Sequence, residues 1–474
     1  MSALWNRLVR VCWRRRAALP SGDAQRWSGP PWTLTEQCKS AAAALVQPEF
    51  LRGSPHRKHP GVTTLKTIRL PDGLQRGALT AIHKSELKDL SERSRRLKNY
   101  LWSRKRAAEA PQLREKAVEL EERWMAEEKQ RQSDGDDQNF EAKIRRKVLF
   151  ELRKTTYHWT PLRYDAELGV VFMAARLAGG YAAVMRALNE IKKRDPLFAP
   201  RSLLDFGSGL GTALWASHTH WGDALKEYVC VDASGAMNRL AEQLLTGGGD
   251  TDTPLVKHVY FRQFFPVSPK VQSDLVVAAF SLSELASQKE REDTVLTLWR
   301  KTNSYLVLVE NGTKEGHQIL MEARDVLLKK EEKVIHDSRR PVVFAPCTHE
   351  RTCPKLLKQP VVPCNFLQPY HPLPLPGNAD WEEERFSYLI VSREAREAPG
   401  EREGVEWGRL TAPVHRRTRH VQCQICCSSG ELKQLAVTAR QHGRDAYRCA
   451  RSSNWGDRLP IINTEEDDAP PDQP

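Results

Sequence analysis

The spacing of apolar positions changes several times along this chain, and each change predicts an element. Residues 20 to 80 are rich in Pro, Gly and Ser and show little periodicity, so the stretch 21–85 is expected to be extended or poorly ordered. From Leu87 the pattern turns helical, with Leu87, Leu90, Leu97 and Leu101 recurring at three-, four- and seven-residue spacing. A second helix is predicted over about 112–130, after Pro111. The sequence SDGDDQ breaks it, and a third helix begins near Phe140 and includes Ile144, Val148 and Leu149. The run 168–188 is the best candidate for a membrane span. Arg176 and Arg186 lie within it and favour a buried helix instead.

From Arg201 strands alternate with helices. SLLDF, EYVCVDAS, SDLVVAAFS and NSYLVLVENG read as strands, with helical stretches such as 234–245 and 289–301 between them. Such alternation predicts a parallel sheet covered on both faces. Beyond about residue 335 the chain is rich in Pro and Cys and less regular, until FSYLIVSRE returns to strand character. The expected order is a helical N-terminal region at 86–195, a Rossmann-like α/β core at 196–335, a Cys-rich region at 336–460 and an acidic, disordered tail at 461–474.

Charge changes this picture. The 474 residues carry a formal charge of +13, which favours a polyanionic partner, most plausibly nucleic acid. Part of the excess lies at the N-terminus. Arg7, Arg10, Arg14, Arg15 and Arg16 alternate with Leu4, Trp5, Leu8, Val11 and Trp13, and no acid precedes Asp23. That is the pattern of a mitochondrial transit peptide, expected over residues 1–20. A second basic stretch, SERSRRLKNYLWSRKR, holds Tyr100 and Trp102 among its cations. It is either a nucleic-acid contact, where cations meet phosphates and rings stack on unpaired bases, or a solvated helix face. Ten cysteines without a secretory signal point to thiols or metal ligands rather than disulfides.

One loop carries candidate chemistry. LLDFGSGLGTALWA follows a predicted strand and opens a helix, with Asp205, Gly207, Gly209 and Gly211 in it. Glycines allow a sharp turn and close approach to a ligand. Asp232 ends the next strand, where an acid can accept hydrogen bonds from ribose hydroxyls. The pattern resembles the Asp/Glu-x-Gly-x-Gly-x-Gly motif of Rossmann-like methyltransferases that bind S-adenosylmethionine. A dinucleotide loop usually lacks the acid that Asp205 supplies. Amino-group methyltransferases of nucleic acids carry an Asn/Asp-Pro-Pro-aromatic sequence after the fourth strand. Here that place reads AAFSLSEL, with Ser281, Ser283 and Glu284 as its polar groups. Pro346-Cys347 could offer a thiolate nucleophile for cytosine C5, but it lies beyond the last clear strand.

The cysteines form the second candidate site. Cys347, Cys353 and Cys364 are spaced x5 and x10, and 61 residues separate Cys364 from Cys426. Cys423 and Cys427 are alternatives to Cys426, and His349 is a further donor. Four thiolates suit either zinc or a cubane iron–sulfur cluster.

From about residue 157 to 457 the chain resembles the family of methyltransferase-like factors of the mitochondrial small ribosomal subunit, which has yeast and bacterial members. The resemblance is carried by Tyr164–Asp165, DFGSGLGT, ENGT near Glu310, APCTHERTCP, PCNF, RHVQCQIC and WGD at Trp455–Asp457. It implies an S-adenosylmethionine-dependent methyltransferase fold with a Cys-rich metal-binding C-terminal part. It further implies a [4Fe–4S] cluster on Cys347, Cys353, Cys364 and Cys426. The last ligand follows from relatives that carry a cysteine six residues after the histidine of an HV pair, here His420. The segment between Cys353 and Cys364 is a few residues longer than the family pattern. The resemblance also implies a monomer bound to the small subunit, its rRNA and proteins in the mitochondrial matrix, with no membrane and no methyl transfer. The alternative is an active methyltransferase of small-subunit rRNA.

Overall fold

Five parallel strands, all but one edge strand built on apolar runs, form the centre of the fold. In the computed structural model these are β1 (Ser202–Phe206), β2 (Glu227–Val231), β3 (Val259–Arg262), β4 (Ser273–Ala279) and β5 (Thr302–Asn311). Three more strands, β6 (Pro341–Ala345), β7 (Phe366–Tyr370) and β8 (Glu382–Arg393), complete the sheet. Its order is β3-β2-β1-β4-β5-β8-β6, with β7 also on β8. β8 runs antiparallel to β5, Val307 facing Ile390. β6 and β7 share the outer edge of β8, one beside each end. The structure describes residues 56–131, 137–157, 159–249, 253–266, 268, 271–329, 339–358, 360–393 and 407–460. The expected transit segment at 1–20 and the tail at 461–474 lie outside the described residues.

The helices follow from their apolar faces. They are α1 (Asp72–Lys84), α2 (Leu90–Ser103), α3 (Ala110–Arg131), α4 (Asp137–Thr155), α5 (Ala166–Arg194), α6 (Thr212–Trp221), α7 (Gly235–Leu245), α8 (Gln288–Lys301) and α9 (Lys314–Lys329). α1, α5, α6 and α7 cover the sheet face that carries Leu203, Tyr228, Leu275 and Val307. α8 and α9 cover the opposite face through Trp299 and Leu320. α5 is long and apolar enough to cross a membrane, but it is buried inside the protein as the sequence predicts. The side chain of Asp165 caps it, accepting from Leu168 N at 2.8 Å.

A second sheet holds β9 (Trp407–Leu410), β10 (His415–Arg416), β11 (His420–Cys426), β12 (Leu432–Thr438) and β13 (Arg458–Pro460). The short helices α10 (Ala439–His442) and α11 (Arg444–Ser452) accompany it, and Val421, Cys423, Ile425 and Cys449 form its core. α3 and α4 belong to a separate compact unit, residues 105–160 with 286–288. That unit has its own core of Leu120, Ile144, Val148 and Leu152.

Three expected boundaries need correction. The stretch 21–85 is not extended throughout, because Leu74 and Ala78 bury one face of α1. Ahead of that helix, Thr63 and Thr64 N–H both donate to Asp457 Oδ1, which ties this segment to the C-terminal sheet. The limit at 335/336 also fails. β6, β7 and β8 are strands of the main sheet, and only 407–460 forms the second one. Finally, α5 is part of the α/β core rather than of a separate N-terminal helical region.

One buried carboxylate joins these parts. Glu190 of α5 is fully buried, as is Arg409 of β9. Arg409 donates Nη1 to Glu190 Oε1 at 2.7 Å and Nη2 to Oε2 at 3.1 Å. The same guanidinium donates Nε to Pro346 O and Nη1 to Gly456 O. Arg186 and the Tyr388 hydroxyl also donate to Glu190. Burial raises the Glu190 pKa, but Arg409 and Arg186 outweigh it and hold the carboxyl well below the usual range. Breaking a buried pair leaves an uncompensated charge, so Arg409→Leu is expected to cost about 3–5 kcal/mol in chemical denaturation. Arg409→Lys should recover less than half of that loss, because an ammonium cannot match the guanidinium fork on both Glu190 oxygens and two backbone carbonyls.

Candidate functional site

The order of strands reverses between β1 and β4, and in such sheets ligands bind beyond the strand ends at that point. The glycine loop lies there. Gly207, Gly209 and Gly211 have φ of +65°, +51° and +77°, the left-handed region that glycine adopts without strain. At Gly207 a Cβ would also fall 2.3 Å from Ser281 Oγ. The loop is pinned to β2: Gly207 and Ser208 N–H both donate to Val231 O. Gly209 N–H donates to Asp232 Oδ2 at 2.9 Å, and Ser234 N–H to Oδ1 at 2.8 Å.

Asp205 ends up beneath this loop, 1% exposed, and its Oδ2 has no partner among the described residues. Burial, then the charge of Asp232, pushes its carboxyl up to about 7. Burial also raises Asp232, against its two backbone N–H donors. This set fits a cationic amino-acid ligand. The open oxygen of Asp205 can accept from an ammonium group, and Asp232 keeps lone pairs for hydroxyls. A Cβ on Gly209 would meet nothing nearer than Met237 Cε at 3.6 Å, so the loop leaves room above it.

The end of β4, where a methyl acceptor would be held, is occupied internally. Phe280 has φ of +58°, and the Arg176 guanidinium stacks 4.9 Å over its ring. Arg176 is itself paired with Glu384 at 2.9 Å. Ser281 Oγ donates to Phe206 O, and Ser283 N–H to Glu310 Oε1. Tyr164 donates to Glu284, which also pairs with Arg104. Glu310, Tyr164 and Arg104 were not singled out as site groups by sequence reasoning. The ENGT and Tyr164–Asp165 signatures were the available signals.

The second site joins the two sheets. Cys347 follows β6, Cys364 precedes β7, Cys353 lies between them and Cys426 ends β11. The four thiols are close enough that every pair among them interacts electrostatically. Burial pushes Cys347 up to about 11, with Arg324 and Arg409 pulling it down. It pushes Cys364 up to about 12, with Lys355 pulling it down, and raises Cys426 as well. His349 Nε2 lies 3.4 Å from Cys426 Sγ, and His317 Nε2 lies 3.8 Å from Cys353 Sγ. Burial lowers both imidazoles to about 4, so they are neutral. Arg324 donates to His349 O and Arg351 O, and Lys355 to Thr411 O, which fixes the segment between the first two cysteines.

β11 separates the alternative thiols. Its residues alternate faces, so Cys423 and Cys426 point oppositely. Cys423 enters the core of the C-terminal sheet, and no other thiol influences it. Cys427 influences Cys426 but packs in that same core. Cys347 is grouped with thiols rather than with the glycine loop, which argues against the nucleophile reading. Among the described residues no three His, Cys, Asp or Glu side chains converge on one point as ligands of a single ion would.

The basic stretch of α2 is largely neutralised. Arg95 and Arg96 pair with Glu92, Arg93 with Glu167, Lys98 with Glu382 and Arg104 with Glu284.

Topology and glycine loop define a Rossmann-like α/β protein. The family model described as mitochondrial small ribosomal subunit Rsm22 matches residues 166–460, and the chain belongs to that family. It is 49% identical over 413 residues to the Homo sapiens protein named ribosome assembly protein METTL17, mitochondrial, covering 87% of each chain. It is 25% identical over 323 residues to the Rsm22-cox11 tandem protein 2, mitochondrial, of Schizosaccharomyces pombe, spanning 61% of this chain and 43% of that one. Among solved structures, magnesium protoporphyrin IX methyltransferase from Synechocystis with bound SAM is 12% identical at a TM-score of 0.28, covering 56% of this chain and 100% of that one. The ribosomal protein L11 methylase of Lactobacillus delbrueckii is 14% identical at a TM-score of 0.24, covering 44% and 77%.

The raised pKa of Asp205 has a pH signature. The folded protein keeps this proton to about 7, while the unfolded chain releases it near 3.8. Its contribution to stability is therefore full below about 3.8 and lost as pH rises to 7. Asp205→Asn removes the loss. Denaturation midpoints across pH should show little difference from wild type at pH ~4 and a gain of about 2–4 kcal/mol at pH ~8.

Proposed function

We propose that this chain is a mitochondrial matrix assembly factor of the small ribosomal subunit, which binds its rRNA, retains an S-adenosylmethionine site and holds a [4Fe–4S] cluster without transferring methyl groups. The observation that carries the assembly role is family membership together with 49% identity, over 87% of the chain, to a protein named for ribosome assembly.

The cluster reading rests on the donor set. Four thiols from two sheets lie in mutual electrostatic reach, with Arg324, Arg409 and Lys355 among them. A cluster with four thiolates is anionic, and these cations offset that charge. A cubane spreads its ligands over four iron corners, so they need not converge as zinc ligands do. Cys347, Cys353, Cys364 and Cys426 would hold it. Its contribution would be structural, because joining β6–β7 to β11 makes binding free energy part of folding free energy.

At the glycine loop, S-adenosylmethionine when bound would supply an electrophilic methyl group. Asp205 would accept from its ammonium, Asp232 from its ribose hydroxyls, and Gly207, Gly209 and Gly211 would let the backbone come close. The groups at the end of β4 are engaged with one another, which supports binding without turnover. The buried Oε2 of Glu310, which has no partner among the described residues near the end of β4, favours the second reading, an active methyltransferase of small-subunit rRNA.

Anaerobic purification followed by metal and sulfide analysis should find about four irons and four sulfides per chain. Cys426→Ser should lose the iron and co-sedimentation with the small subunit, while Cys423→Ser keeps both. Stoichiometric zinc without iron would overturn the cluster. Mapping methyl groups on small-subunit rRNA with Gly209→Leu separates the other readings. Unchanged marks are expected, and specific marks that vanish while assembly persists would establish the enzyme.

A further inference from the structure

The outer face of α4 combines cations with an exposed aromatic ring. Ile144, Val148 and Leu152 turn inward at four-residue spacing and form the core of the helical unit. At 3.6 residues per turn, Lys143, Arg146, Phe150, Arg153 and Lys154 fall on the opposite side, and all are exposed. Phe150 is 68% exposed, in the middle of the stripe. The helix sequence holds six Lys/Arg against three acids, whereas α3 holds five against six. The hairpin thus separates its charges, and the aromatic ring sits on the basic side.

We infer that this face of α4 binds unpaired RNA, with its cations on successive phosphates and the Phe150 ring stacked on a base. The inference rests on the rRNA-binding reading above and adds the surface and the state of the RNA. A stripe of cations alone would suit any polyanion. A ring held out of the core among them suits one whose bases are free to stack, and in a duplex they are already stacked.

The test uses the full chain, with fluorescence anisotropy on three probes: a dye-labelled unstructured oligoribonucleotide, its perfect duplex, and poly-glutamate. Phe150→Ala should weaken the single strand about five- to 150-fold, the range that loss of one stacked base gives, at an unchanged salt slope. Phe150→Tyr keeps the ring and should bind as wild type, with circular dichroism confirming the fold of both variants. Arg146→Ala with Lys154→Ala should flatten the salt dependence by about 1.4 in the log–log slope. Single-strand affinity unchanged in Phe150→Ala overturns the inference alone. Poly-glutamate binding as tightly and losing the same factor makes the face a site for an acidic protein, and also overturns it. Wild-type chain that binds neither RNA overturns it together with the rRNA-binding reading.

Discussion

The carboxylate of Glu190 is the constraint on which the rest of the structure depends. A charge taken so far from water is tolerated only when its partners are complete. Here they come from separate parts of the chain: Arg186 from the same helix, Tyr388 from β8 and Arg409 from the C-terminal sheet. A hydrophobic contact tolerates sliding, whereas a forked guanidinium on a carboxylate fixes one register. Thus the C-terminal sheet docks on α5 in one position. The N-terminal segment is held to the same place, because Arg186 also donates to Thr63 and Asp457 receives Thr63 and Thr64.

The cysteines inherit their arrangement from that docking. Arg409 reaches Glu190 with one edge and Pro346 O with Nε, one residue before Cys347. Cys426 stands on β11, which pairs with β9 at Arg409 itself. One side chain therefore sets the relation between thiols that lie far apart in sequence. The same guanidinium lowers the Cys347 pKa against the effect of burial, as Arg324 does. The cations that build the fold thus also favour the thiolate form of Cys347.

Much of this was legible in the sequence, for identifiable reasons. Strands β1, β2, β4 and β5 are buried on both faces and read as unbroken apolar runs. α5 declared itself by length and apolarity, with two arginines that turned out to be partnered inside. What was missed lies at edges or depends on long-range pairing. β3 is a short edge strand of half-exposed residues. The return of β8 to β5 crosses a Cys-rich stretch that looked like a separate region, and pairing leaves no local mark. The charges of α2 looked available because Glu167, Glu284 and Glu382 are distant in sequence. The choice of Cys426 over Cys423, which came from the resemblance, has a counterpart in strand periodicity that needed β11 to be predicted.

The glycine loop shows how a motif can outlast or precede its chemistry. Gly207 and Ser208 bond to Val231, and Gly209 to Asp232, so the turn closes the β1–β2 edge whether or not a cofactor is bound. Ser281 packs against Gly207 so closely that a side chain there is excluded on steric grounds alone. The fold would require these glycines even in a protein that never met a methyl donor, and the loop by itself says little about turnover. Asp205 says more. Among the described residues its Oδ2 has no partner, and burying a carboxyl oxygen without one lowers stability. An acceptor placed beneath the glycine loop at a cost in stability is what the proposed ligand site would use. Of the neighbouring groups at the end of β4, Ser281 and Ser283 are engaged within the fold, whereas the buried Glu310 Oε2 has no partner among the described residues, so this end of the sheet keeps one acceptor in reserve as the glycine loop does.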